Sequence, residues 1–544
     1  MKISKIRQIA FLVFLGVIFF LSSAILLDLP GLGDEEAFLV HPAVSMLVKD
    51  VRPSYLGLDL FRHNFFVMIN GWVGPVSAFL YVPWLYLFGI SIYVIRITRI
   101  AYGFITILLL YFFAKDFFDK KTAAIASFLL ATFPFYIFMY RQGYLDDGIL
   151  PAFLLAALIC FHRFYKVSEN KFLYWGVFFT GLGLCSKITF LWFIAVMAIS
   201  FFFFRTRGNF NKKNILISFF IFNLAILPMT LYNIMNMNLI HSTDRSTIGA
   251  IINNLIITRG GYNNLLIHKN IWTRLMQLKG IFDNRYNGQE IITNYFYFYI
   301  LVFAVLFYLA KFIFVKRIDK QAKIGFILSL FLLMFFLSCF TINYFKIEHA
   351  AIYLPFCVLI IAKFLDDIFK KRLEAVKYLI ILLITVLNFV SLSESYKVLY
   401  KKGLYLMQFN WAYPSSAVYT LSEYLVNKGI SNPVSIGPEL ACNVEILTKG
   451  KVHPTLCLNN NDDYGTTESY LEKTTQEKGR YYLIVTHSFM KSFLAPFERM
   501  LVKHAKTVDI VQIFSRRDGC ADIILFKLKD GKYNDELSRS LVYD

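Results

Sequence analysis

Long apolar runs alternate with short polar connections from residue 8 to about residue 393. The runs fall at 8–27, 92–114, 122–140, 148–165, 172–186, 189–204, 214–232, 293–314, 324–342, 350–367 and 377–393. A helix needs roughly 20 apolar residues to cross about 30 Å of hydrocarbon, so the pattern predicts about eleven transmembrane helices. Between the fifth and sixth runs stands Lys187. A tight turn at Ser186-Lys187 keeps that ammonium out of the hydrocarbon, where it would cost roughly 3 kcal/mol. Within the first long connection, 28–91, stand two apolar pieces at 37–48 and 73–88, the second interrupted by Gly74, Pro75 and Pro83. They are expected as helices lying in the interface rather than as spans. From about 405 the period changes: short runs at 434–437, 481–486, 510–514 and 523–526 read as strands, and 416–428 reads as an amphipathic helix.

The fold expected is therefore a polytopic α-helical membrane domain over 1–400, with long outer segments at 28–91 and 233–292, followed by a small α/β domain over 405–544. Lys and Arg set the sidedness. They crowd into alternate connections: Lys2/Lys5/Arg7, Lys115/Lys120/Lys121, Arg163/Lys166/Lys171, Arg205/Arg207/Lys212/Lys213, 311–323 and 363–377. The opposite short loops hold mostly single cations, Arg141, Lys187 and Lys346. The positive-inside rule then puts the N-terminus inside and the C-terminal domain outside. The first run reads as a retained anchor, since no small-x-small cleavage site precedes Asp28.

Composition agrees with this class. The chain is 57% hydrophobic and 18% aromatic, with only 17% charged residues, which excludes a soluble multidomain protein. Its net charge of +20 does not mark a nucleic-acid binder, because the cations sit in short loops between spans, where they set topology and meet lipid headgroups. High Lys, Ile, Asn and Phe usage fits a bacterial cytoplasmic membrane. Cys160, Cys185, Cys339 and Cys357 fall in spans as packing residues. Cys442, Cys457 and Cys520 lie in the outer domain, where one disulfide can form among them.

Only 36 residues in 544 are acidic, yet three stand together at Asp34-Glu35-Glu36, just past the first span. Carboxylates beside a bilayer are costly unless they face water, a metal or a partner charge. The same outer side collects Arg141, Asp146 and Asp147 after the third run, Lys187, and Lys346, Glu348 and His349 after the ninth. Carboxylates suit general-base work or a hard metal, and cations suit a phosphate that gains charge as it leaves. Group transfer from a lipid phosphate at the outer leaflet follows as the expected chemistry. Plainer roles exist for each: helix N-terminal charges for the acids, an N-cap for Asp147, an interface anchor for Arg141, snorkelling for the lysines. Glu36 is expected as a solvated neighbour of the other two acids. Arg96 and Arg99, one helical turn apart, are expected to tie their helix to first-loop carboxylates or carbonyls.

These motifs carry a resemblance. Residues 30–38 (PGLGDEEAF) resemble the Asp-Glu motif in the first outer loop of the GT-C glycosyltransferases, in the branch of the protein O-mannosyltransferases and the lipid A aminoarabinose transferase. The likeness continues through Gly74-Pro75, Leu87-Phe-Gly-Ile-Ser91, Arg96, Tyr144-Leu-Asp-Asp147, residues 181–187 (GLGLCSK) and residues 346–355 (KIEHAAIYLP). It covers 1–200 well and 320–400 loosely. The resemblance implies a polyprenyl- or dolichyl-phosphate-linked sugar as donor, with release of the lipid phosphate; a glycan, lipid or protein hydroxyl is expected as acceptor. Carried over by position, Asp34 is the base, Glu35 its motif neighbour and Asp146 the second-loop acid. Lys187 and Lys346 match basic positions near the lipid phosphate. From the outer-face charges themselves, Arg141, Asp147 and His349 are expected as further substrate contacts. Asp34 and Glu35 are the residues that would meet a divalent metal. The aminoarabinose transferases carry a Glu-Lys pair before their Pro-containing interfacial helix, and here that stretch is Asn70-Gly-Trp-Val-Gly-Pro75. Single displacement by an acceptor hydroxyl would invert the anomeric centre. The competing function is a transporter or flippase of a lipid-linked saccharide, which would place charges at the midplane and often show internal repeats.

Overall fold

The structure is a computed structural model. It describes residues 2–53, 55–60, 63–142, 145–203, 211–239, 246–254, 267–282, 295–314, 322–340, 347–370, 373–403, 415–436, 440–456, 480–486, 497, 499–504 and 506–531. Helix α1 (Lys2–Ala24) is followed by the first long connection, which folds into α2 (Asp34–Leu47), a hairpin of β1 (Leu56–Leu60) and β2 (His63–Met68), and α3 (Val76–Phe88). Then come α4 (Ile92–Phe117), α5 (Lys120–Ala131), α6 (Pro134–Gln142), the single turn α7 (Leu145–Gly148), α8 (Leu150–Val167), α9 (Asn170–Ser186) and α10 (Leu191–Phe203). Helices α11 (Lys212–Ala225), α12 (Leu227–Met235), α13 (Thr247–Asn254), α14 (Ile267–Phe282), α15 (Tyr295–Phe314), α16 (Ala322–Ser338), α17 (Leu354–Ile368) and α18 (Glu374–Lys402) complete the helical part.

The helices overlie the apolar runs. Among the described residues five helices are long and apolar enough to cross a membrane, and seven if each bent pair is one span. The pair α5–α6 bends by 58° and the pair α11–α12 by 71°. A proline stands at each break, Pro134 and Pro228; lacking an N–H, proline cannot continue the helical ladder, and its ring clashes with the preceding turn. Between α9 and α10 the chain is extended at Lys187 and enters a short 3₁₀ turn at Ile188–Phe190, so a break does stand at this lysine. Helix α17 is the central element, with its residues from Leu354 to Ala362 all buried, and it packs on α5, α15 and α16.

The hairpin in the first connection was not legible as strands. It pairs antiparallel from Leu60 with His63 outward and packs on α12. Asn233 of α12 joins Met68 and Thr247 there.

Past α18 the described chain resumes at α19 (Ala417–Asn427) and continues through β3 (Val434–Ser435), α20 (Ala441–Leu447), β4 (Thr455–Leu456), β5 (Tyr481–Val485), β6 (Lys506–Ser515) and β7 (Ala521–Asp530). The strands form one mixed sheet in the order β4-β3-β5-β7-β6. Side chains of a strand alternate between faces. Tyr482, Ile484, Ile524 and Phe526 therefore pack with Phe497 and Leu501 on one face, while Leu483, Val485, Ile523 and Leu525 meet α19 and α20 on the other. No disulfide joins Cys442 to Cys520, and Cys457 lies outside the described residues.

Candidate active site

The acidic triplet opens α2, with Gly33 as N-cap, so Asp34, Glu35 and Glu36 occupy the first three helical positions. Backbone N–H groups and the helix dipole favour carboxylates there. The side chains of Asp34 and Glu35 lie outside the described residues. Glu36 differs from the sequence expectation: it is 1% exposed, not solvated. Its carboxylate reaches back toward the Gly33 N–H and accepts from Arg96 Nε at 3.1 Å and Arg96 Nη2 at 2.9 Å. Arg99 Nη2 donates to it as well. Burial alone would raise the Glu36 carboxyl, but the two guanidiniums overcome this and hold it below the usual carboxylate range. Arg96 also donates to the carbonyls of Leu27, Pro30 and Gly31. One buried arginine thus pins the whole approach to the triplet.

Arg99 links two loops. Besides Glu36, its Nη2 donates to the carbonyl of Arg141 at 3.1 Å, so the first acidic loop and the second meet at this residue. Arg141 itself was expected at the lipid phosphate. It is fully buried, and its guanidinium donates to the carbonyls of Ser23 at 3.2 Å and Ile25 at 2.5 Å, and to that of Leu26. The last carbonyls of a helix have no intrahelical partner, and Arg141 supplies donors to the exit of α1. Tyr396 of α18 lies under the guanidinium, 5.0 Å from its carbon to the ring centre, and donates to the Ser22 carbonyl.

Asp147 is the centre of the site. It lies in α7, whose last carbonyl, that of Gly148, accepts from the Tyr140 hydroxyl of α6. Lys187 Nζ donates to Asp147 Oδ2 at 2.6 Å, and His349 Nδ1 lies 3.1 Å from both carboxylate oxygens. Burial opposes ionisation of Asp147, but Lys187 and His349 drive its carboxyl well below the usual range. An ionised carboxylate only accepts, so the imidazole form that bonds to it is one with a hydrogen on Nδ1. His349 comes from the 3₁₀ segment Ile347–Tyr353, which packs on α7, α8 and α14. On α14, Arg274 Nε donates to the Ser338 carbonyl and Asn270 to that of Cys339, tying α14 to the end of α16.

Lys187 is held by the first connection. Asn70 Oδ1 accepts from the N–H groups of Trp72 and Val73, and this turn lies against the end of α9. The Ile188 N–H donates to the Trp72 carbonyl at 3.1 Å and the Gly74 N–H to the Ser186 carbonyl at 3.2 Å. A Cβ at position 74 would stand 1.9 Å from the Cys185 carbonyl oxygen, so only glycine permits this approach.

The structure brings Asp147, Lys187 and His349 together, and ties the start of α2 to Arg141 through Arg99. Asp146 is the neighbour of Asp147 in α7, with its side chain outside the described residues, and Lys346 lies outside them altogether. Two buried polar atoms, Gln142 Nε2 and Ser186 Oγ, have no hydrogen-bond partner among the described residues. They flank Arg141 and Lys187 in sequence, and buried polar atoms of this kind ordinarily find a partner. Neither was singled out from the sequence. Among the described residues no group of three or more His, Cys, Asp or Glu could hold a metal ion. The two described carboxylates of the site are already neutralised by cations and do not fit a divalent ion.

Residues 73–232 match the sequence profile of the family described as Dolichyl-phosphate-mannose-protein mannosyltransferase. No curated protein matches the chain in sequence. Among solved structures, ArnT from Cupriavidus metallidurans bound to undecaprenyl phosphate aligns with a TM-score of 0.60 at 11% identity, over 95% of this chain and 98% of that one. The archaeal oligosaccharyltransferase AglB from Archaeoglobus fulgidus, in complex with an inhibitory peptide and a dolichol-phosphate, aligns with a TM-score of 0.53 at 12% identity, over 98% and 75% of the two chains. Residues 73–232 thus resemble that mannosyltransferase family, and the chain as a whole shares the fold of ArnT and AglB.

Proposed function

We propose that the protein transfers a sugar from a polyprenyl-phosphate donor to an acceptor hydroxyl at the outer face of a bacterial cytoplasmic membrane. The observation that carries this reading is the convergence on Asp147 of Lys187 and His349 from separate connections, six residues after Arg141, whose carbonyl Arg99 ties to the acidic start of α2. Ionisable groups held at helix ends, rather than along a midplane, favour a transferase over a transporter of the same lipid. In this reading the chain crosses the membrane about eleven times with its N-terminus inside, and the 405–544 region is extracytoplasmic.

Asp34 takes the proton of the acceptor hydroxyl as its oxygen attacks the anomeric carbon. The bond from that carbon to the phosphate oxygen breaks, polyprenyl phosphate leaves, and the anomeric configuration inverts. Glu35 and Asp146 support the developing positive charge on the sugar. Lys346, Lys187 and His349 face the departing phosphate, with Asp147 fixing the last two. Arg141 acts from behind, holding the exit of α1. The acceptor class is a glycan, a lipid or a protein hydroxyl. The test is transfer by the purified protein in liposomes from a panel of polyprenyl-phosphate sugars, with products identified by mass spectrometry. A glycosylated acceptor and free polyprenyl phosphate are expected; no product from any donor would contradict the reading.

A further inference from the structure

Glu445 of α20 is a buried carboxylate between the C-terminal sheet and α2. His41 of α2, itself 1% exposed, points Nε2 at Glu445 Oε2 at 3.0 Å. The Arg52 N–H donates to Glu445 Oε1 at 3.0 Å, and His453 Nδ1 meets the same oxygen at 2.6 Å. Around it the two parts of the chain interlock: Asn443 Nδ2 donates to the Leu32 carbonyl, two residues before Asp34, and Ile446 enters the apolar cluster of α2, α3 and α4. At the far end Gly450 lies against Asp50, and the Tyr419 hydroxyl donates to the Asp28 carbonyl. The residues held run from 28 to 52 and bracket α2. On the opposite side α2 is held by Arg96 and Arg99 through Glu36.

We propose that Glu445 is a positioning residue for the transfer reaction: it clamps the C-terminal domain onto α2 and so fixes the helix whose first residue is Asp34. The inference rests on the transferase reading for its consequence and on geometry for the clamp. A carboxylate that meets His41, the Arg52 N–H and His453 on two segments defines one arrangement of them, and removing it takes that partner from the buried His41 and the part-buried Arg52 N–H. A base displaced by about 1 Å costs on the order of 100-fold in rate while donor contacts elsewhere persist.

The test compares wild type, Glu445→Ala and Glu445→Gln as full-length protein in liposomes. Hydrogen exchange is read on peptides covering α2 and α4, with kcat and KM for the donor measured in parallel. Glu445→Ala is expected to lose protection in α2 but not in α4, and to lose about 10- to 100-fold in kcat with KM changed by less than about twofold. Glu445→Gln, whose amide oxygen still accepts from the Arg52 N–H, is expected to recover a large part of both. Unchanged exchange in α2 together with unchanged kcat overturns the clamp, as does a uniform loss of protection across α2 and α4 in both variants. If wild type transfers no sugar, the transferase reading fails, while exchange in α2 still decides whether Glu445 clamps that helix.

Discussion

Lys187 Nζ lies 2.6 Å from Asp147 Oδ2, with 8% and 2% of the two side chains exposed. Breaking a buried pair by removing one partner leaves an uncompensated charge and costs about 3–5 kcal/mol. Lys187→Met is therefore expected to destabilise the protein by about that amount and to abolish transfer. Adding Asp147→Leu should restore much of the stability and none of the activity. Thermal unfolding of the purified protein, run beside a transfer assay, checks both.

Glu36 separates from its two neighbours by the same logic. It faces two buried guanidiniums. Glu36→Ala should destabilise by about 3–5 kcal/mol, since Arg96 and Arg99 lose their counter-charge. Unfolding measured on Glu35→Ala and Glu36→Ala side by side is expected to show the larger loss for Glu36.

Much of this was legible in the sequence. The helices announced themselves because hydrocarbon demands long apolar runs, and the loops carrying Asp147, Lys187 and His349 because charge is sparse in such a chain. Pairing was not legible for every group. Arg96 and Arg99 read as ties to first-loop carboxylates or carbonyls, and they meet both, but nothing local to Glu36 marks it as the carboxylate they take, since an acid beside two others reads as solvated. Arg141 is an outer-loop cation by position, and only the fold turns it onto the exit of α1. The β1–β2 hairpin was missed for a related reason: its strands are short, carry Gly57 and Asp59, and are stabilised by α12.

Glu36 and Asp147 are both held below their ordinary range, so their ion pairs stabilise the fold fully above the unfolded carboxylate pKa of about 4. That stability is lost as pH falls below this value toward the depressed ones. The melting temperature of wild type is expected to drop steeply below about pH 4. A Glu36→Gln/Asp147→Asn variant, already less stable at neutral pH, should show a shallower decline over the same interval. Thermal scans from pH 7 downward measure it.

Gly74→Ala tests the contact that holds Lys187. The new methyl would meet the Cys185 carbonyl oxygen at 1.9 Å, so the turn at Asn70–Val73 must separate from the end of α9. Overpacking of this kind costs typically about 1–3 kcal/mol. Lys187 should then lose its register with Asp147, and transfer should fall by about 10- to 100-fold. Single-turnover transfer by the variant is the readout.

The central claim is that the carboxylate opening α2 removes the acceptor's proton during glycosyl transfer. Its most direct test is single-turnover transfer from a polyprenyl-phosphate sugar by wild type and by Asp34→Asn, with donor binding measured separately. The account predicts that Asp34→Asn binds the donor as wild type does and transfers at least about 100-fold more slowly. Transfer by Asp34→Asn at the wild-type rate would contradict it.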